Sequence, residues 1–477
     1  MFPSWIFGGK KDDTSEGPPE PSSSSSSSSS LAGKVVVIIG GGLAGLSVAY
    51  NLRKLSKDVQ IKLVDPKQYS EILWTSYRSP FDSEWVGKNS IIVLDRYCKE
   101  YNVEHIQATV TKLTKESITL DNNDNDTTTS LSFDVCVVAT GATSDWEGGM
   151  GRSLPKAKDE ATPHYRLQQM KDEGQRLLNS KHIIIVGGGL IGTELAGEIA
   201  NEVKKKKNKK DNCDTPKVTL VHSTSCLCPI MSVDAGNKIQ EMLEGLGVTV
   251  ILNEKASIKE EDGGTNGDGS DTKVVILQNS KKELTGDVVI QTIGFGSRNG
   301  FMKDLVVSGE DAFDSKGFIQ TDEYFVVRGC GDDGTTNNNN NVFAFGDCSN
   351  SLPNAANVYM RTANVLANNI KCTLLSSASN KTTTTAENGN GTKSEAADGM
   401  MKYEIPFSVY INTIGDAQGV FYYSSTIWTQ YLLPWIKNKT MFFMSPREFI
   451  GLKPEFTLAG GATVDEKAKT TVTTTTD

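Results

Sequence analysis

The stretch Val35-Val36-Val37-Ile38-Ile39-Gly40-Gly41-Gly42-Leu43-Ala44-Gly45 decides the fold. Five consecutive apolar, largely β-branched residues predict a strand buried on both faces. The residues that follow have the GxGxxG spacing of a loop that cradles a dinucleotide pyrophosphate. Gly40 permits the tight turn, Gly42 lets the backbone approach the phosphates, and Gly45 lets a helix pack close to the strand, with Gly41 part of the same cofactor-binding loop. Leu43 and Ala44 complete the loop. Leu46–Leu55 reads as that helix, its N-terminus offering N–H groups and a positive dipole end to an anion. Val59–Val64 predicts the second strand of a βαβ unit, and Asp65 at its end is placed to accept from ribose hydroxyls.

The loop recurs. Gly187-Gly188-Gly189-Leu190-Ile191-Gly192 follows the apolar run Ile183–Val186. Two copies predict two dinucleotides held against each other, usually a flavin and a nicotinamide. Two further strands carry marks of the same architecture. Phe133–Val138 runs into Ala139-Thr140-Gly141, where such a chain leaves its flavin domain, and Val342–Phe345 runs into Gly346-Asp347, where it returns and the Asp meets the ribityl chain. The predicted fold is α/β. It has two Rossmann-like dinucleotide-binding domains, the FAD domain discontinuous and the NAD(P) domain inserted, plus a small aromatic-rich C-terminal αβ domain. The expected boundaries are a Ser-rich tail at 1–30, FAD-binding sequence at 31–145 and 297–375, NAD(P)H-binding sequence at 146–296, a low-complexity loop at 376–400, the C-terminal domain at 401–460 and a tail at 461–477.

The second unit differs from the first at its ribose slot. After Val218–Val221 comes His222, where an NAD specialist usually carries an acid, so the site is expected to accept NADH or NADPH. A partly exposed strand-end histidine reads equally well. Glu194 and Glu198 lie one turn apart on the helix after Gly192. Glu194 is expected to point toward the nicotinamide–flavin contact as the catalytic carboxylate, whereas Glu198 reads evenly as functional or as surface charge.

Composition narrows the chemistry. A net charge of -9 and a pI near 5.3 disfavour nucleic acid as a partner. The eight cysteines show neither a CxxC pair nor zinc spacing, so no metal site and no disulfide relay is expected, and the thiols read as reduced and intracellular. Hydride would then pass from nicotinamide to flavin, and electrons onward to an external acceptor. Asn125 and Asn438 begin sequons read as chance. Low-complexity segments at 121–130, 204–214, 261–272, 332–341, 376–399 and 464–477 read as surface insertions or tails. The basic run Lys204–Lys210 reads as a solvated helix end, with an anionic-membrane contact as the rival. Phe2, Trp5, Ile6 and Phe7 read either as part of a disordered tail or as an interfacial anchor. Residues 401–460 hold 13 aromatics. That segment fits both a domain covering the flavin and an apolar surface that admits a quinone tail.

These segments together resemble the ferroptosis suppressor flavoproteins, also called apoptosis-inducing-factor-like mitochondrion-associated proteins, over about residues 33–456. Val-Thr-Leu-Val-His-Ser (218–223), Gly346-Asp347-Cys348 and Ser408–Gly419 are the more particular matches; the two-loop pattern is shared with type II NADH dehydrogenases. The resemblance implies an FAD enzyme that uses NAD(P)H to reduce ubiquinone-type quinones at a membrane or lipid-droplet surface, giving an antioxidant quinol. It also implies that Gly40–Gly45, Arg78, Ile106 and Asp347 contact FAD, with Gly187–Gly192 and Glu194 at the nicotinamide. The chain departs from the family at Phe2, where relatives carry a myristoylated glycine, and at Pro353-Asn354, where they carry Pro-Lys. It is expected to be cytoplasmic and peripherally membrane-associated. Two rivals are a soluble reductase of monodehydroascorbate or a redox carrier, and an AIF-type interaction protein regulated by NAD(P)H.

Overall fold

The computed structural model describes residues 31–121, 128–143, 154–209, 214–259, 273–303, 305, 312–329, 341–351, 356–379, 399–403, 409–416, 418–423, 426–428 and 450–458. The N-terminal apolar tip and Ser run, both sequons, the bulk of the low-complexity insertions, Pro353-Asn354 and the aromatics Tyr431–Phe449 lie outside them.

The apolar runs are the centres of two parallel sheets. The first has the order Val342–Ala344, Val135–Val138, Val35–Ile39, Gln60–Val64, Val103–Ile106. Side chains alternate across it. Ile38 packs with Leu46 and Leu52 of the helix Leu43–Leu55 and with Leu366 and Ile370 of the helix Ala356–Ser379. Val37, Ile39 and Val138 face the other way, onto Leu113 and Ile118 of a three-stranded antiparallel sheet. Burial on both faces is why these strands are unbroken apolar runs rather than alternating ones.

The second sheet repeats the plan in the order Thr249–Ile251, Lys217–Val221, His182–Val186, Val288–Gln291. Ile183 and Ile185 pack on Leu195 and Ile199 of the helix Leu190–Lys209 and on Ile239 and Leu243 of the helix Val233–Gly245. Ile184 and Val186 face a second antiparallel sheet through Val275 and Leu277. The chain leaves the first sheet through Ala142–Thr143 and comes back through Gly296–Ser297, and these two legs pair antiparallel with each other. Val342–Ala344 then completes the first sheet, which is therefore discontinuous in sequence.

Both loop helices start earlier than their glycine spacing suggests. The first begins at Leu43, not Leu46, because Leu46 N–H already donates to Gly42 O at 2.9 Å. The second begins at Leu190, so Gly45 and Gly192 both sit in the first helical turn. The described C-terminal residues form a three-stranded antiparallel sheet, Val409–Ile414, Gln418–Tyr423 and Thr426–Trp428. Ile414 and Val420 join the core of the second sheet, while Ile450, Leu452 and Phe456 join that of the first. Gly197 permits the first contact, since a Cβ there would lie 3.0 Å from Gly415 N. Among the described residues, no helix is long and apolar enough to cross a membrane, and no three His, Cys, Asp or Glu side chains are grouped to hold a metal ion.

Candidate functional site: one cavity between two glycine loops

A cavity of about 650 Å³ opens between the C-terminal ends of the two sheets. Open α/β sheets bind ligands at that end. Its wall includes Gly40–Ala44, Asp65, Thr140, Gly141 and Asp347 from the first set of predicted residues, and Gly189 and Glu194 from the second. Thus residues more than 300 positions apart in sequence meet at one opening.

The glycines divide by job. Gly40 has φ +112°, and a Cβ there would lie 2.3 Å from Ala139 O. A Cβ on Gly45 would lie 2.0 Å from Gly40 O, so this position closes the loop onto the helix. Gly42 is the opposite case. Nothing lies within 4 Å of its Cβ position, and it faces the cavity. The helix N-terminus behind it carries no side-chain cap, which leaves its dipole end open to a phosphate. In the second loop Gly187, Gly188 and Gly192 are the tight positions and Gly189 the open one. Gly45, Gly187, Gly188 and Gly192 accordingly stand behind the cavity wall rather than in it. Two glycine cradles, each with an open glycine facing one cavity, fit two pyrophosphates.

Asp65 is held by its own loop. Oδ2 accepts from Gly41 N–H at 2.7 Å and Oδ1 from Lys67 N–H at 2.8 Å. Desolvation raises its pKa, and the two backbone donors oppose the rise. Ile106 does not line the cavity. It positions Asp65 through the backbone, its carbonyl accepting Asp65 N–H at 3.2 Å. His222 is likewise behind the wall, its Nδ1 accepting from Gly188 N–H at 3.0 Å. Glu194 lines the cavity at 6% exposure, and its Oε1 accepts from both Thr413 N and Thr413 Oγ1 at 3.0 Å.

Arg78, expected at the flavin, is paired with a carboxylate. It is absent from the cavity wall, and its guanidinium clasps Glu198, with Nη2–Oε1 at 2.5 Å and Nε–Oε2 at 3.3 Å. The physical reason is burial: Arg78 and Glu198 side chains are 10% and 2% exposed, and a charge that deep takes a charged partner. Glu198, read evenly from the sequence, is the buried carboxylate of this pair.

Sequence reasoning missed several wall residues. Lys67 is in the wall, and burial depresses its ammonium pKa to about 8. Its place two residues after Asp65 was the available signal. Glu71 is also in the wall, anchored by the fully buried Arg166 at 2.7 Å across 95 residues of sequence. Nothing local marks that pair. Tyr77, Trp74, Phe295, Arg298 and Phe301 complete this side. Burial, with Glu194 and Glu198 beside it, lifts the Tyr77 phenol well above its ordinary pKa. Cys228 is the one described cysteine that lines the cavity, its thiol pushed up to about 12 by burial. All six described cysteines are free.

The chain is similar to "Apoptosis-inducing factor 1" of Saccharomyces cerevisiae, 25% identical over 65% of this chain and 72% of that one. It is 26% identical to "Ferroptosis suppressor protein 1" of Xenopus tropicalis over 70% of this chain and 79% of that one. To the "Type II NADH:quinone oxidoreductase" of Staphylococcus aureus it is 24% identical over 69% and 80%. Among solved structures, the sulfide:quinone oxidoreductase of Aquifex aeolicus superposes with a TM-score of 0.61 at 16% identity, covering 88% of this chain and 94% of that one. The reduced CoADR-RHD of Bacillus anthracis superposes at 0.56 with 18% identity, and there the match covers 81% of this chain but only 61% of the other. The family profile of pyridine nucleotide-disulphide oxidoreductases matches residues 34–364, from the strand before the first glycine loop into the helix after the Gly346-Asp347 return. With both cradles, the return strand and that match in hand, the chain belongs to the pyridine nucleotide-disulphide oxidoreductase family of flavoproteins, which use FAD with NAD(P)H as electron donor.

Proposed function

We propose that the protein is an FAD-dependent NAD(P)H:quinone oxidoreductase that works at a membrane surface and releases a quinol. The observation that carries the reading is a cavity reached by both glycine loops whose wall, among the described residues, holds one cysteine, Cys228, rather than a pair. A disulfide relay needs two thiols in reach of the flavin, so electrons go instead to an external acceptor. The wall also carries apolar Leu154 and Ile230, which are 44% and 55% exposed. Exposed apolar side chains at a cavity suit a hydrophobic acceptor. Two relatives described above carry quinone in their names, which supports the same class. The likeness to the ferroptosis suppressor protein supports the antioxidant use of the quinol.

On this reading Gly40–Gly45, Asp65, Thr140, Gly141 and Asp347 hold FAD, and Gly187–Gly192, His222 and Glu194 hold the nicotinamide dinucleotide. FAD when bound supplies two-electron chemistry between the nicotinamide and the acceptor. The chain orients the partners. The open glycines seat the pyrophosphates, Asp65 meets a ribose, and Trp74, Leu190 and Ile191 exclude water between the cradles. The net reaction takes NAD(P)H, one proton and a quinone to NAD(P)⁺ and a quinol.

The test is anaerobic. The purified yellow holoprotein is mixed with NADH or NADPH and flavin bleaching is followed, then a short-chain ubiquinone is added. Bleaching followed by reoxidation by the quinone is expected. Bleaching that the quinone cannot reverse, but monodehydroascorbate or a redox carrier can, refutes the quinone assignment.

A further inference from the structure

The two glycine loops are clamped at the same point by different chemistry. In the first, Asp65 Oδ2 accepts from Gly41 N–H at 2.7 Å; in the second, His222 Nδ1 accepts from Gly188 N–H at 3.0 Å. The packing is parallel too. A Cβ on Gly41 would lie 3.2 Å from Asp65 Cβ, and one on Gly188 would lie 2.8 Å from His222 Cγ.

The network assigns the tautomer. A backbone N–H only donates, so Nδ1 must present its lone pair. The neutral ring then carries its proton on Nε2, which lies 2.9 Å from Thr224 Oγ1, and the Thr224 hydroxyl donates onward to Cys226 O at 3.0 Å. All the bonds run in one direction, from Gly188 through His222 and Thr224 to Cys226. No ion pair reaches His222 among the described residues. Glu254 follows on the next strand turn: its N–H donates to His222 O, while its carboxylate is turned to Asn279 and Ser280, accepting from their N–H groups at 3.0 Å each, and the Cys228 thiol is paired with Thr193 Oγ1. The loop Gly187–Gly189 contributes no charged side chain.

Resting on the assignment of Gly187–Gly192 to the nicotinamide dinucleotide, we infer that His222 is the positioning residue of that loop and works only as the neutral, Nδ1-accepting imidazole. A carboxylate in its place would hold the loop but repel a 2′-phosphate. The imidazole holds it without charge. Protonation at Nδ1 sets N–H against N–H, opens the clamp and disorders the cradle, so dinucleotide binding is coupled to release of a proton from His222. Burial lowers the imidazole pKa from its usual value, which keeps the clamp closed near neutrality. The sign follows: affinity is full above the imidazole pKa and is lost as pH falls through it.

The experiment is calorimetric titration of the full-length FAD holoprotein with NAD⁺ between about pH 8 and about pH 5.5, in buffers of different ionisation enthalpy. NAD⁺ avoids turnover, so the readout is binding and proton release. The variants are His222→Asn, which keeps an acceptor near the Nδ1 position without titrating, and His222→Ala, which removes it; flavin absorbance confirms that each holds its cofactor. Wild type is expected to lose affinity by up to roughly tenfold per pH unit below the imidazole pKa, with proton release near it. His222→Asn should be flat in pH, and His222→Ala weak throughout. Wild-type affinity independent of pH, or a His222→Asn profile that falls like wild type, overturns the inference alone. Failure of wild type to bind NAD⁺ at the alkaline end overturns the loop assignment with it.

Discussion

Replacing Arg78 separates its structural role from the phosphate-binding one expected of it. Arg78→Met keeps the length and apolar stem of the side chain and removes the guanidinium. Glu198 is then left with its side chain 2% exposed and without the two guanidinium bonds it accepts at 2.5 and 3.3 Å. Stranding one partner of a buried pair costs about 3–5 kcal/mol. Glu198→Met costs less, because Arg78 is more exposed, at 10%, and has Asp416 at 4.0 Å, itself 46% exposed, as a second carboxylate. The double variant, apolar on both sides, recovers most of the loss, since a well-packed apolar pair often replaces a buried ion pair at little net cost. Urea denaturation of all four proteins, followed by flavin release, gives the cycle. Additive losses in the double variant would refute the pairing argument. Loss of FAD in Arg78→Met with FAD retained in Glu198→Met, at equal stability, would restore Arg78 to the phosphate.

The glycine loops give a paired test. Gly45→Ala and Gly192→Ala place a Cβ 2.0 and 1.8 Å from a carbonyl oxygen, so each should deform its loop, and Gly45→Ala should purify with little FAD. Gly42→Ala meets no atom within 4 Å and should leave the apoprotein's unfolding midpoint unchanged while lowering the flavin content, as read by the ratio of flavin to protein absorbance. Equal stability losses at Gly42 and Gly45 would contradict the division between cradle and closure. Lys67 predicts a pH effect on the apoprotein. Burial holds its pKa near 8 in the fold against 10.5 as the reference value, so the unfolded chain binds the extra proton between those limits. Stability should therefore rise with pH across that window, and Lys67→Met should remove the rise in urea midpoints; an unchanged slope would place Lys67 in solvent.

Much of the fold was legible because its signals are local. Val35–Gly45 and Ile183–Gly192 each hold a strand, a turn and a helix start within a dozen residues, and backbone geometry alone demands glycine at Gly40 and Gly187. The return strand ending in Gly346-Asp347 was legible for the same reason. The helix starts were misread by three residues because GxGxxG spacing runs past the turn into the helix, and spacing does not mark where the first i→i−4 bond forms.

The parts that were not legible all depend on what burial brings together. Arg78 and Glu198 are 120 residues apart, Arg166 and Glu71 are 95 apart, and Glu194 meets Thr413 across 219. A sequence shows that a residue is charged, not whether its charge will be desolvated, and desolvation chose their partners. Sequence by itself determined the two dinucleotide cradles and their order, because turn geometry and strand burial act over short range. Only the tertiary structure decided that Arg78 faces a carboxylate, that Lys67 and Glu71 reach the cavity, and that His222 acts through Gly188. Those outcomes are set by hydrogen bonds and charge pairs that form only once the sheets have packed.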